Sequence, residues 1–124
     1  MLVVDDEDAL LRVLALVLED EGYRVITARN GRMALDACRS EVADVVVTDY
    51  MMPEMTGNDF IAALHAERPR VPVIVMSSLD EDVVARACKG HARFFRKPFD
   101  VPEFLRSIAH IAESASRDRL RLVK

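Results

Sequence analysis

Tryptophan is absent from this chain, and cysteine (two), tyrosine (two) and glycine (four) are scarce among its 124 residues. Cys38 and Cys88 both fall in helical patterns and share no disulfide or metal-ligand spacing, so they are expected to be reduced thiols at or near a core. A basic excess is missing as well. The formal net charge is −4, with no basic stripe, which argues against direct nucleic-acid binding by this domain. No apolar run approaches the ~20 residues that span a bilayer, so no membrane partner is expected. Met1 leads straight into an apolar strand without a basic region or cleavage site, so no secretory leader is expected and the expected compartment is the cytoplasm. Internal repeats and low-complexity tracts are lacking too, and His65, His91 and His110 are scattered as surface or boundary residues would be.

What remains is one domain's length of chain, 51% hydrophobic and 31% charged, enough for a sizeable core under a soluble surface. Short apolar runs alternate with helical periodicity. Leu2-Val3-Val4 reads as a first strand. A helix follows from Asp8, a candidate N-cap, to Asp20, with Leu11, Leu14 and Leu18 inward and Leu10, Val13 and Val17 widening the buried face. Gly22 ends it in a left-handed conformation. Residues 23–28 read as strand two and 32–40 as helix two, with Met33, Ala34, Ala37 and Cys38 inward. Residues 44–48 read as strand three. Asn58 is a candidate cap for a helix over 59–67. Residues 72–76 read as strand four, 81–89 as a helix capped by Asp80 and stopped by Gly90, and 93–96 as strand five. Asp100-Val101-Pro102-Glu103 starts a last helix in the manner of a capping box. Alternation on this spacing implies a parallel sheet with helices on both faces. Residues 1–114 make the domain. Residues 115–124, with Arg117, Arg119 and Arg121, either extend the last helix or begin a linker.

The chemistry gathers at strand ends. Strand one ends in Asp5 and Asp6, strand three in Asp49, strand four in Ser77 and Ser78, and strand five in Lys97. Open α/β sheets place their sites outside the carboxyl ends of the strands. Three clustered carboxylates repel one another unless one takes a proton or a cation joins them. An all-oxygen set selects Mg²⁺, or Mn²⁺, over softer metals. Asp6 and Asp49 are the candidate direct ligands, Asp5 acts mainly through water, and the backbone carbonyl of Met51 is the candidate third protein ligand. Such a metal suits phosphoryl transfer, with Asp49 as nucleophile, Lys97 and the Ser77 hydroxyl covering phosphoryl oxygens, and small Ser78 leaving the approach open. Each residue alone has a plainer reading, as a turn, cap or solvated charge; their joint placement at four strand ends favours the site.

Val3-Val4-Asp5-Asp6-Glu7, Asp49-Tyr50-Met51-Met52-Pro53 with Gly57, Ser77-Ser78 and Lys97-Pro98-Phe99 stand in an order and spacing that resembles a response-regulator receiver domain of two-component signalling, over essentially the full chain. The resemblance implies a single (βα)5 flavodoxin-like domain with a five-stranded parallel sheet of order 2-1-3-4-5. It implies that Asp49 accepts a phosphoryl group from a histidine kinase or a histidine phosphotransfer protein, in a Mg²⁺-dependent reaction, with intrinsic self-dephosphorylation. Ser77 takes the family's Ser/Thr switch position and Phe94 its aromatic one, so the surface of helix four, strand five and helix five is expected to change on phosphorylation. A homodimer through that face is left open, as is the downstream target. The protein is then a phosphoacceptor and not an enzyme. Phe94 lacks the hydroxyl many relatives carry, and His91 stands where the family usually has alanine.

Three rival readings are weaker. A phosphorylation-independent interaction module would not need Asp5, Asp6, Asp49, Ser77 and Lys97 together. A phosphatase would carry a general acid at Met51. A flavin-binding protein would follow strand one with a Ser/Thr/Gly-rich phosphate loop, where this chain has Asp5-Asp6-Glu7.

Overall fold

The computed structural model describes residues 1–41, 43–87, 91 and 93–123, with side-chain detail for all of these except 87 and 116–123. Cys88, Lys89 and Gly90, expected at the end of helix four, therefore lie outside the described residues, as do the side chains of Arg117, Arg119 and Arg121. The element order is β1 (Leu2–Val4), α1 (Asp8–Asp20), β2 (Ile26–Ala28), α2 (Gly31–Ser40), β3 (Val46–Asp49), α3 (Gly57–Glu67), β4 (Val73–Ser77), α4 (Glu81–Ala87), β5 (Arg93–Arg96) and α5 (Val101–Val123). The five strands form one parallel sheet of order β2-β1-β3-β4-β5, the flavodoxin-like arrangement. No helix among the described residues is long and apolar enough to cross a membrane.

Alternation along the strands feeds two cores, because successive side chains point to opposite faces. Leu2, Val4, Val46, Val73 and Val75 join Leu35, Phe60, Ile61 and Leu64 on the α2–α3 side. Val3, Val47, Ile74 and Met76 join Leu11, Leu14, Leu18, Phe104 and Ile108 on the α1–α5 side. Strands covered on both faces read as nearly unbroken apolar runs, as these do.

Several boundaries differ from expectation for local reasons. The N-cap of α1 is Glu7, without a side-chain cap bond; Asp8 lies in the first turn and pairs with Arg29 at 3.1 Å. Val13 does not join the buried face and is 50% exposed. The helix ends in a Schellman turn: Tyr23 N–H donates to Leu18 O at 3.1 Å, Gly22 N–H donates to Glu19 O at 2.9 Å, and Gly22 has φ +95°. That turn consumes Tyr23, so β2 begins only at Ile26, where pairing with β1 starts.

In α2 the cap is Asn30, whose side chain accepts from Met33 N–H at 2.8 Å. The buried stripe runs Gly31, Ala34, Leu35 and Cys38, a phase that leaves Met33 47% exposed instead of inward. The cap of α3 is Thr56, not Asn58; its hydroxyl accepts from Asp59 N–H at 3.2 Å. At α4, Asp80 supplies its backbone carbonyl to Val83 and Val84 N–H, while its carboxylate pairs with Arg96 at 2.9 Å. Asp100 caps α5 by accepting from Glu103 N–H at 3.3 Å, but the Glu103 carboxylate turns to Arg93 at 3.4 Å, so the return bond of a capping box is not made.

Gly57 is required for space. A Cβ there would lie 2.8 Å from Tyr50 Cα and 3.1 Å from Asp49 O, backbone atoms that cannot yield without moving the end of β3. Gly57→Ala is expected to cost about 2–3 kcal/mol, read as a fall in thermal midpoint. Gly22→Ala, which meets nothing within 4 Å, is expected to cost only about 1 kcal/mol, through its positive φ. Equal losses would show that crowding at Gly57 is relieved by movement elsewhere.

Candidate functional site

Register brings the strand ends together. Val4 pairs with Thr48, so Asp5 and Asp49, each one residue on, are neighbours. Asp49 pairs with Met76, which places Ser77 one step beyond. Ser77 pairs with Arg96, which places Lys97 one step beyond that, its N–H donating to Ser77 O at 2.8 Å. The Lys97–Pro98 peptide bond is cis.

The carboxylates of Asp5, Asp6 and Asp49 each offer an oxygen within 4.8 Å of the others. Asp5 is fully buried, Asp49 is 6% exposed, and Asp6 faces solvent. Lys97 bridges the two buried acids, with Nζ 2.8 Å from Asp5 Oδ2 and 3.4 Å from Asp49 Oδ2. The other Asp5 oxygen accepts from Glu7 N–H at 2.9 Å, and Asp49 Oδ1 accepts from Met51 N–H at 3.4 Å.

Burial is the largest influence on Asp49 and pushes its pKa up from 3.8 to about 6. Lys97 opposes the shift, Asp5 adds to it, and the Met51 N–H opposes it weakly. For Lys97, burial works to lower the pKa, but the hydrogen bond to Asp5 and the charge of Asp49 outweigh it, so the ammonium is held above its ordinary value. The donor set is all oxygen and carries three formal negative charges against one ammonium. It fits a hard divalent cation, which would relieve the same repulsion that raises Asp49.

Ser77 is fully buried, and its hydroxyl accepts from Leu79 N–H at 3.1 Å. Ser78 is exposed beside it. Met51 and Leu79, 57% and 36% exposed, adjoin the site through their backbone N–H groups, which donate to Asp49 Oδ1 and Ser77 Oγ. Phe94 is half-buried against the α2–α3 core, whereas Phe95 packs inward on Phe99 and Phe104. The structure therefore brings together Asp5, Asp6, Asp49 and Lys97, with Ser77 and Met51 adjoining. One contributor escaped sequence reasoning. Thr48 is fully buried, and its hydroxyl donates to Asp49 O at 3.0 Å and lies 3.9 Å from Met52 Sδ. A lone hydroxyl inside a valine run was the available signal.

A five-stranded sheet of this order with acids at its carboxyl rim defines a class, and the sequence profile of the response regulator receiver domain matches residues 1–109. The chain belongs to that family, the phosphorylation-activated signalling domains of two-component systems. Among its relatives, the probable transcriptional regulatory protein TcrX of Mycobacterium tuberculosis is 38% identical over 105 residues, 83% of this chain and 45% of that protein. The solution structure of the beryllofluoride-activated NtrC4 receiver domain dimer matches with TM-score 0.84 at 36% identity, covering 92% of this chain and 96% of that one. Chemotaxis protein CheY4 of Vibrio cholerae matches with TM-score 0.84 at 28% identity, covering 89% and 95%. The chain spans less than half the length of the curated relatives it matches.

Proposed function

We propose that this domain is a phosphorylation-driven switch in which Asp49 takes a phosphoryl group from the phosphohistidine of a sensor kinase or a phosphotransfer protein. The observation that carries the reading is the convergence of Asp5, Asp6, Asp49 and Lys97 on one rim. An Asp49 carboxylate oxygen attacks phosphorus, the new O–P bond forms as the P–N bond to imidazole breaks, and the departing ring nitrogen takes a proton. Lys97, already between the two buried carboxylates, moves onto a phosphoryl oxygen as its ion pair with Asp49 is lost. Asp6, Asp49 and the Met51 carbonyl would hold Mg²⁺ (or Mn²⁺), with Asp5 acting through water. The ion would supply charge neutralisation on the transferring group.

The switch rests on Ser77. Its hydroxyl, now an acceptor for Leu79 N–H, turns to donate to a phosphoryl oxygen, and Ser78 offers a small side chain and backbone contact at the approach. Movement of Ser77 opens space into which Phe94 turns, and the α4-β5-α5 surface changes for a downstream target. Residues 1–114 form the switch in this reading and 115–123 carry its last helix onward, in a cytoplasmic protein that makes no direct nucleic-acid contact through this domain.

Incubation with acetyl phosphate and Mg²⁺, read as intact mass, is expected to add one phosphoryl group. The addition is lost in Asp49→Asn and with chelator. Absence of the adduct together with failure to bind fluoroberyllate would overturn the switch and leave a phosphorylation-independent interaction module.

Met51 and Leu79 expose apolar side chains close to Asp49 and Ser77 in the chain, and in this reading they hinder water from reaching phosphorus. Replacing both with polar residues is expected to shorten the phosphoryl lifetime by about tenfold, a barrier change near 1.4 kcal/mol. An unchanged decay rate would remove these two side chains from any role in lifetime.

A further inference from the structure

The groove between α1 and β2 takes no part in the phosphoryl chemistry proposed above. It holds about 530 Å³, with Arg12, Ala15, Leu16 and Glu19 of α1 along one wall and Val25 and Met33 opposite. β2 is one of the two edge strands of the sheet. Leu16 is 68% exposed and Met33 47%. From Ala9 to Leu18 the only charged residue is Arg12. A helix apolar on nearly every side calls for cover on its outer face as well as its inner one.

The pattern along α1 indicates what the cover is. Arg12 and Glu19 are two turns apart on the same side of the helix, and Ala15 and Leu16 lie midway between them. Neither charge has an ion-pair partner among the described residues. Turning this helix end for end about Ala15–Leu16 puts Arg12 where Glu19 stood. The surface is therefore complementary to itself under a two-fold rotation, which is what an isologous contact requires.

We propose that the α1–β2 groove is a docking surface for a second copy of this chain. The two α1 helices run antiparallel, and Leu16 of each enters the groove of the other. Arg12 faces Glu19 of the partner subunit, and Glu19 faces Arg12 of the partner subunit. Such a contact lies apart from the α4-β5-α5 surface, so it forms without phosphorylation. A stable interface covers about 800 Å² on each partner, which is a modest share of the 7334 Å² surface of this chain.

Sedimentation equilibrium of the unphosphorylated full chain, up to about 1 mM, tests this directly. The expected result is a monomer–dimer equilibrium that Leu16→Glu abolishes. Arg12→Glu and Glu19→Arg are each expected to weaken it by about tenfold or more, and the two together in one chain to restore it. All three positions are exposed, so circular dichroism of the variants should match the parent. A monomer throughout would overturn the proposal and leave the groove to a different protein partner. A dimer indifferent to Leu16→Glu, or charge-swapped chains that fail to recover association, would overturn it too. Phosphoryl uptake by Asp49, measured on the same variants, is a separate readout, so failure of either reading is visible without the other.

Discussion

Asp49→Asn is expected to stabilise the metal-free protein at neutral pH by about 3 kcal/mol, from a shift of roughly two pKa units at about 1.4 kcal/mol each. The carboxyl is pushed up to about 6 in the fold from 3.8, chiefly by burial. The folded protein therefore binds this proton more tightly than the unfolded chain does. The contribution of Asp49 favours the fold below the unfolded pKa and is lost as pH rises through the folded one. Asparagine mimics the neutral form and has no charge to bury. Its advantage should be absent below about pH 4, grow between there and about pH 6, and level off above, where it corresponds to roughly 10 °C in thermal midpoint. Saturating Mg²⁺ should narrow the gap by stabilising the parent alone, because a ligand that binds only the folded state stabilises by mass action. Thermal scans from pH 4 to 8, with and without Mg²⁺, make the measurement. An advantage that does not vary with pH would assign the strain to packing and not to the charge of Asp49.

The sheet was legible because its strands are short β-branched runs with punctuation between them, and the acids at their ends marked the rim. Val3-Val4-Asp5-Asp6 and Val46-Val47-Thr48-Asp49 carry both signals at once, apolar strand and charged end. The errors fall where two candidates of equal chemistry stand close together. Thr56 and Asn58 are both good caps, and the choice was made by Gly57, whose N–H donates to Tyr50 O at 2.8 Å and which must lie against the backbone of Tyr50. Met33 and Leu35 are both apolar. Only the helix phase fixed by Asn30 at the cap and Gly31 against Met55 decides which turns inward. Residues 23–25 had the composition of a strand, yet the Schellman turn had already claimed Tyr23.

At the site, sequence reasoning named the residues but not their pairings. That Lys97 reaches Asp5 more closely than Asp49 is a contact across 92 positions of chain, set by the crossover of β1 between β2 and β3 and invisible to local pattern. Complete burial of Asp5 follows from the same placement of β1 inside the sheet, between β2 and β3. Val13 illustrates the opposite case. Its spacing suited a core position, and the structure leaves it half exposed because α1 has more apolar residues than one sheet face can cover.

Lys97→Met is expected to be the most damaging single change at the rim. Lys97 is 19% exposed in its side chain and sits 2.8 Å from a wholly buried Asp5 and 3.4 Å from Asp49. Removing one member of a buried ion pair leaves the other without compensation, at a cost of about 3–5 kcal/mol. Here two carboxylates are left, facing each other. The ammonium is held above its ordinary pKa, so in the parent its stabilising contribution is complete below that ordinary value and fades only as pH rises through the still higher folded value. Its loss is therefore felt across the whole neutral range. The variant should recover stability on acidification, because protonating Asp49, whose pKa the fold raises to about 6, removes one of the two unpaired charges. It should also recover, at constant pH, when Mg²⁺ is added, because a divalent cation between Asp5, Asp6 and Asp49 meets the same need that the ammonium meets without metal. Urea unfolding of parent and variant at pH 7, with and without Mg²⁺, separates these effects. A larger gain from Mg²⁺ in the variant than in the parent is the expected result. Equal gains would mean that Lys97 and the metal act on different charges, and the three carboxylates would then not behave as one shared cluster.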